Sequence, residues 1–117
     1  MSELALKLIA ENKAKHARGE DARTLDLGKC GLTTLPDLSE LEWLEKLVVS
    51  NEWWDYEQRK WIQSENQGDK NILLTVPPEA FPHNLKVLFL SEVLSNESEI
   101  SNEGFLKNLT QLQSLEL

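Results

Sequence analysis

The chain is poor in residues that cross-link, redirect or span. Only one of its 117 residues is cysteine, Cys30, so an internal disulfide is impossible and a reducing compartment is expected. Five glycines and four prolines are too few for a collagen-like or Gly/Pro-rich low-complexity chain. Cations are the minority charge: 12 Lys and Arg stand against 20 Asp and Glu, a formal net charge of −8. Such a surface repels nucleic acid phosphate and anionic lipid, which argues against both as partners. The plainer account of the acidity is that it keeps the protein in solution. No apolar run reaches the length needed to cross a bilayer. The N-terminal stretch MSELALKLIAENKAKH lacks a basic start and is interrupted by Lys7 and Glu11, unlike a signal peptide. A cytoplasmic protein is therefore expected.

Sites for chemistry are equally scarce. His16, His83 and Cys30 are isolated and give no zinc spacing. Glu97 and Glu99 lie in a polar loop without the ligand order of a calcium-binding EF-hand. No G-x-x-x-x-G-K-[ST] phosphate loop occurs. Carboxylates for acid–base catalysis need a pocket that shifts their pKa values, and the architecture read below offers none on sequence grounds. No catalytic residue, cofactor or metal is expected, and the chain is read as non-enzymatic.

What is present is a repeat. From Ala22, apolar or special residues fall at Leu25, Leu27, Cys30, Leu32, Leu35, Pro36, Leu38 and Leu41, the leucine-rich pattern L-x-x-L-x-L-x-x-C-x-L-x-x-L-P-x-L-x-x-L with Ala22 in its first slot. New units begin at Leu44, Leu85 and Leu112, steps of 22, 41 and 27 residues. In the second unit Leu44, Leu47 and Val49 are followed, after a break, by Asn71, Leu73, Val76 and Pro77, which match Cys30, Leu32, Leu35 and Pro36. The step of 41 against 22 leaves 19 extra residues between Ser50 and Lys70. The third unit, with Leu88, Leu90, Ile100, Leu106 and Leu109, has 5 extra around Glu92 to Ser98. In L-x-x-L-x-L the last two leucines point to one side of a short strand. Asn or Cys after the strand sits inside the turn, where an amide can bond backbone groups left unpaired. Stacked units bury a continuous core and form a parallel sheet. The predicted fold is α/β: a right-handed leucine-rich-repeat solenoid with a short parallel sheet on its concave face.

Residues 2–17 read as a capping helix, with Ser2 as N-cap and one stripe at helical spacing of Leu4, Ala5, Leu8, Ile9 and the polar Asn12; Gly19 marks its end. The expected division is a cap over residues 1–21 and about three and a half repeats over residues 22–117. Leu117 falls in the strand of the fourth unit, which predicts a piece of a longer chain. This helix followed by ARTLDLGKCGLTTLPDL resembles the N-terminal repeat regions of bacterial Roco-type multidomain proteins. In that family, such repeats precede a Ras-like GTPase domain and a dimerisation domain. The resemblance implies a signalling context, with any nucleotide chemistry beyond Leu117.

The outward strand positions are Thr24, Asp26 and Gly28; Lys46, Val48 and Ser50; Val87, Phe89 and Ser91; and Ser114 and Glu116. Stacking puts Asp26, Val48, Phe89 and Glu116 in one row beside Val87, an apolar cluster rimmed by acids that fits a contact surface. Against that, β-branched and aromatic residues simply suit strands, or the insertion folds over them. The insertion SNEWWDYEQRKWIQSENQGDK carries Trp53, Trp54, Tyr56 and Trp61, residue types enriched in binding hot spots. Asp55 to Gln63 reads as a short helix. Its aromatics either meet a partner or anchor the loop to the protein's own flank. Arg59, Lys60 and Lys70 are too few among acids to track a phosphate backbone. The expected function is recognition of another protein by the concave face and the Trp-rich insertion, with partner contacts at Asp26, Val48, Val87, Phe89, Trp53, Trp54, Tyr56 and Trp61. The alternative is an intramolecular structural or autoinhibitory repeat region of a Roco-like GTPase.

Overall fold

Apolar side chains at helical spacing open the chain, and the computed structural model has α1 over Glu3–Ala17. Residues 3–74, 76–93 and 109–116 are described. Ser2, Ile100, Leu106, the Glu97 and Glu99 loop and Leu117 lie outside them. Ala5, Ile9 and Asn12 form the buried side of α1, with Leu4 and Leu8 packed at its margin. The helix ends where Gly19 takes a left-handed φ of 77°. The Glu20 N–H then bonds the Lys15 carbonyl and the Gly19 N–H that of His16, closing the last turn.

Strands β1 (Thr24–Asp26), β2 (Lys46–Val48), β5 (Val87–Phe89) and β6 (Ser114–Glu116) form a four-stranded sheet in the order β1-β2-β5-β6. All three pairings are parallel, and Leu25, Leu47, Leu88 and Leu115 stand in register. Parallel neighbours need a crossover; among the described residues the crossovers include irregular segments and one 3-10 turn over Pro78–Ala80. These segments are themselves tied sideways: the Ile72 N–H bonds the Leu32 carbonyl, Leu74 that of Thr33, and Leu38 that of Ala80. Between sheet and crossovers lies the core, in which Leu27, Leu35, Leu38, Leu41, Leu44, Leu73, Phe81, Leu85 and Leu90 are fully buried.

Buried amides join the layers. Asn71, with no exposed surface, accepts from the N–H groups of Cys30 (3.2 Å) and Leu32 (2.8 Å). It donates to the carbonyls of Leu27 (2.8 Å) and Val49 (2.9 Å). Asn12 fixes α1 beside β1: its Nδ2 donates to the Ala22 carbonyl (3.1 Å), and its Oδ1 accepts from Trp43 Nε1 (2.8 Å). His16 lies flat on Trp43 with ring centroids 3.8 Å apart. Trp43 thus braces the helix, a role its sequence position does not announce.

Between β2 and Asn71 the structure departs from expectation. Asp55 to Gln63 is not helical; β3 (Glu52–Asp55) and β4 (Lys60–Gln63) pair antiparallel as a hairpin. Trp, Ile and Tyr favour a pleated surface over the crowded preceding turn of a helix. The Asp55 carboxylate accepts from the N–H groups of Glu57 (2.8 Å) and Gln58 (3.2 Å), drawing the chain into a turn. Arg59 closes the turn with a φ of 52°.

Candidate functional site

The hairpin rests on the outer face of the parallel sheet. In its register Trp53 faces Ile62 and Trp54 faces Trp61. Partners in an antiparallel pair share a face, and successive residues alternate. Trp53 and Ile62 therefore lie on one side of the hairpin and Trp54 and Trp61 on the other. Trp53 meets Phe89, ring centroids 6.1 Å apart and tilted by 39°. Lys46 Nζ sits 5.2 Å from the Phe89 ring centre, a cation over an aromatic face. On the opposite side Trp54 and Trp61 meet edge to face at 5.7 Å and 74°. Trp61 keeps 58% of its surface exposed, and Tyr56, in the turn, 81%.

A polar clasp holds the base of the hairpin. Gly28 sits where a Cβ would run into the Ser50 carbonyl oxygen and lie 2.7 Å from the Ser64 Cβ. Ser64 Oγ bonds the Asp26 carboxylate (3.0 and 3.1 Å) and the Gly28 carbonyl (3.2 Å). Asn66 Nδ2 donates to the carbonyls of Asp26 (3.1 Å) and Gly28 (2.8 Å). Asn51 Oδ1 accepts from the N–H groups of Lys29 (3.1 Å) and Asn71 (3.0 Å). Gly28, Asn51, Ser64 and Asn66 form this clasp, and none of them is among the eight contact residues expected from the sequence. The small and amide residues bracketing the aromatic run were the available signal.

Several expected contact residues are corrected by this arrangement. Val48 is 2% exposed although it stands outside the core cluster, so it offers no free contact. Gly28 and Ser50, outward positions by strand alternation though not among the expected contacts, are also buried, under the hairpin's base. Phe89 and Trp53 spend their facing surfaces on each other, which is the case of the insertion folding over the sheet. Val87 remains half-buried on the outer face beside the row of Asp26, Val48 and Phe89. Asp26 is committed to the clasp. Three of the eight predicted residues, Trp54, Tyr56 and Trp61, form the outward aromatic edge.

Burial pushes the Asp26 carboxyl above its ordinary value of 3.8, with Glu65 adding to the effect, while the bonds from Gly28 and Ser64 oppose it. A carboxyl with a raised folded pKa contributes stability fully below the unfolded value and loses it as pH rises through the folded value. Asp26→Asn is therefore expected to raise Tm at neutral pH by a few degrees, the gain disappearing on acidification below about pH 3.8. Thermal melts of both proteins from about pH 3 to about pH 7 check this. A constant difference across that range would mean that the charge on Asp26 is not what matters.

Other chemistry has little purchase among the described residues. The Cys30 thiol is buried and pushed up to about 11, first by desolvation and then by Asp26, so it stays protonated at neutral pH. No group of three or more His, Cys, Asp and Glu is placed to hold a metal ion, again among the described residues. None of their helices is long and apolar enough to cross a membrane. A half-open groove of about 730 Å³ runs along the crossover segments. Leu32, Leu35, Pro36, Pro77 and Ala80 line it, with Asp37 and Glu79 as its charged groups. Comparison with protein families, with curated proteins and with solved structures gives no match.

Proposed function

We propose that this chain is a leucine-rich-repeat module that recognises another protein through its Trp-rich hairpin and adjoining sheet face. One observation carries the reading: the hairpin is clasped to the sheet by Trp53, Ser64 and Asn66 while Trp54, Tyr56 and Trp61 stay outward. Exposed Trp and Tyr on a rigid support lose little conformational entropy on binding and bring large apolar area with a polar handle. The repeat assignment is supported by the in-register leucines of the four strands and by Asn71 bonding the turns of two successive units. We infer a cytoplasmic setting from the single unpaired cysteine and a non-enzymatic role from the isolated placement of His16, His83 and Cys30. An acidic surface disfavours nucleic acid and anionic membrane as partners.

A photo-crosslinking amino acid at Tyr56 tests this. The parent chain is expected to crosslink a distinct protein in cells. The Trp54→Ala/Trp61→Ala variant, with the fold intact by circular dichroism, is expected to lose at least about ninety per cent of that product, since hot-spot truncations cost about 2 kcal/mol or more each. Equal crosslinking by parent and variant would sink the proposal. Crosslinks only to downstream domains of the same polypeptide would establish the intramolecular alternative, a repeat region acting on its own Roco-like GTPase.

A further inference from the structure

The hairpin has an edge as well as two faces. Strand β4 is its outer strand by exposure: Lys60, Trp61 and Gln63 are all exposed, whereas all of β3 is half-buried. The Ser64 N–H bonds the Asn51 carbonyl. In an antiparallel ladder bonded and non-bonded pairs alternate. From Asn51 and Ser64 outward, the bonded pairs are thus Trp53 with Ile62 and Asp55 with Lys60. The backbone N–H and C=O groups of Trp61 and Gln63 then point away from β3. Among the described residues no other segment bonds them. A two-stranded ribbon leaves its strand edges unpaired, and the edge of β4 is the exposed one, a template for a further strand.

We propose that the strand completing this edge is β4 of a second copy of the chain, paired antiparallel about a two-fold axis at Ile62. The sequence of β4 and its flanks is self-complementary in that register. Trp61 of one copy stands opposite Gln63 of the other, and each pair exchanges two backbone hydrogen bonds, four in all. The symmetry is isologous, so the assembly closes at two chains. Trp54 and Trp61 from both copies share one face of the resulting four-stranded sheet, where Gln63 of the other copy flanks the exposed Trp61 and covers one side of it. Beyond the paired residues, Arg59 of one copy falls opposite Glu65 of the other, twice by symmetry, so unlike charges meet at both ends. A register centred on Trp61 instead would set outward-pointing groups of Trp61 against each other but oppose Lys60 to Ile62 and Arg59 to Gln63, with no charge match. The pairing uses only this chain's own backbone and does not rest on the binding of a foreign partner.

Sedimentation of the whole chain over a concentration series tests the inference. The expected result is a reversible monomer–dimer equilibrium with a dissociation constant on the order of tens of micromolar, fitting an interface at the small end of the specific range. Gln63→Pro removes an N–H that the hairpin itself does not use. It should weaken the dimer about tenfold or more while the far-ultraviolet exciton signal of the Trp54–Trp61 pair persists in the monomer. Arg59→Glu should weaken it as well, and Arg59→Glu combined with Glu65→Arg should restore it. A chain that stays monomeric up to about millimolar concentration, the weakest range of measurable association, overturns the proposal. So does a dimer indifferent to Gln63→Pro, or one that the charge exchange fails to rescue.

Discussion

Replacing Asn71 with alanine is expected to lower the unfolding free energy by about 3–4 kcal/mol, a large share of the 5–15 kcal/mol typical of a whole domain. The side chain has no exposed surface and makes four hydrogen bonds, accepting from Cys30 and Leu32 and donating to Leu27 and Val49. Alanine would leave two N–H groups and two carbonyls buried without partners, and a buried unpaired group costs about 1–3 kcal/mol. Relaxation and water entry recover part of that sum. Urea unfolding checks it: the midpoint should fall sharply with an unchanged slope, because the surface exposed on unfolding is nearly the same. A loss under about 1 kcal/mol would mean that the turns after β1 and β2 do not depend on this amide.

The second large effect is expected at Gly28. Gly28→Ala should cost about 2–4 kcal/mol, because the new methyl meets the Ser50 carbonyl and the Ser64 Cβ, and the former is backbone that has no rotamer to change. Relief requires lifting Ser64, and with it the base of the hairpin. Trp53 should then leave Phe89, seen as faster hydrogen exchange across β3 and β4 and a shift of tryptophan emission. Gly31→Ala is the matched comparison. Its φ of 66° strains any side chain, but the nearest atom to a Cβ there is 3.7 Å away. It should cost only about 1 kcal/mol, the ordinary penalty of left-handed backbone. Equal losses at both glycines would show that conformation, not close approach, governs Gly28. In the parent the absence of one side chain lets the aromatic edge be carried on the sheet at all.

Much of the sheet was legible one residue at a time. Leu25, Leu47, Leu88 and Leu115 recur at matching positions of a pattern, and the structure sets them side by side. Cys30 and Asn71 hold the same slot after their strands once the 19 inserted residues are set aside, and the amide of Asn71 reaches the N–H of Cys30. The insertion was legible as an interruption, since the pattern resumes once 19 residues are set aside. Its conformation was misread: the spacing of Trp54, Glu57 and Trp61 suits a helix face, but the same aromatics suit a strand, and Asp55 decides by turning the backbone at Glu57 and Gln58.

The candidate site was less legible than the sheet, because its parts are joined across the fold. Phe89 and Trp53 lie 36 positions apart, as do Cys30 and Asn66, and no local period relates them. Val48 carries the alternation of an outward strand residue, yet the hairpin and its clasp leave it 2% exposed. Trp43 has no repeat neighbour to mark it, and becomes a brace only when α1 brings Asn12 and His16 to it.

By itself the sequence determined where the four parallel strands form, which of their side chains turn inward and where the pattern is broken, because spacing along a chain dictates the direction of each side chain in a strand or helix. The tertiary structure alone decided which outward residues remain outward. Burial depends on what the insertion lies against, and that was set by the space left at Gly28, the hydrogen bonds of Ser64 and Asn66, and the contact of Trp53 with Phe89.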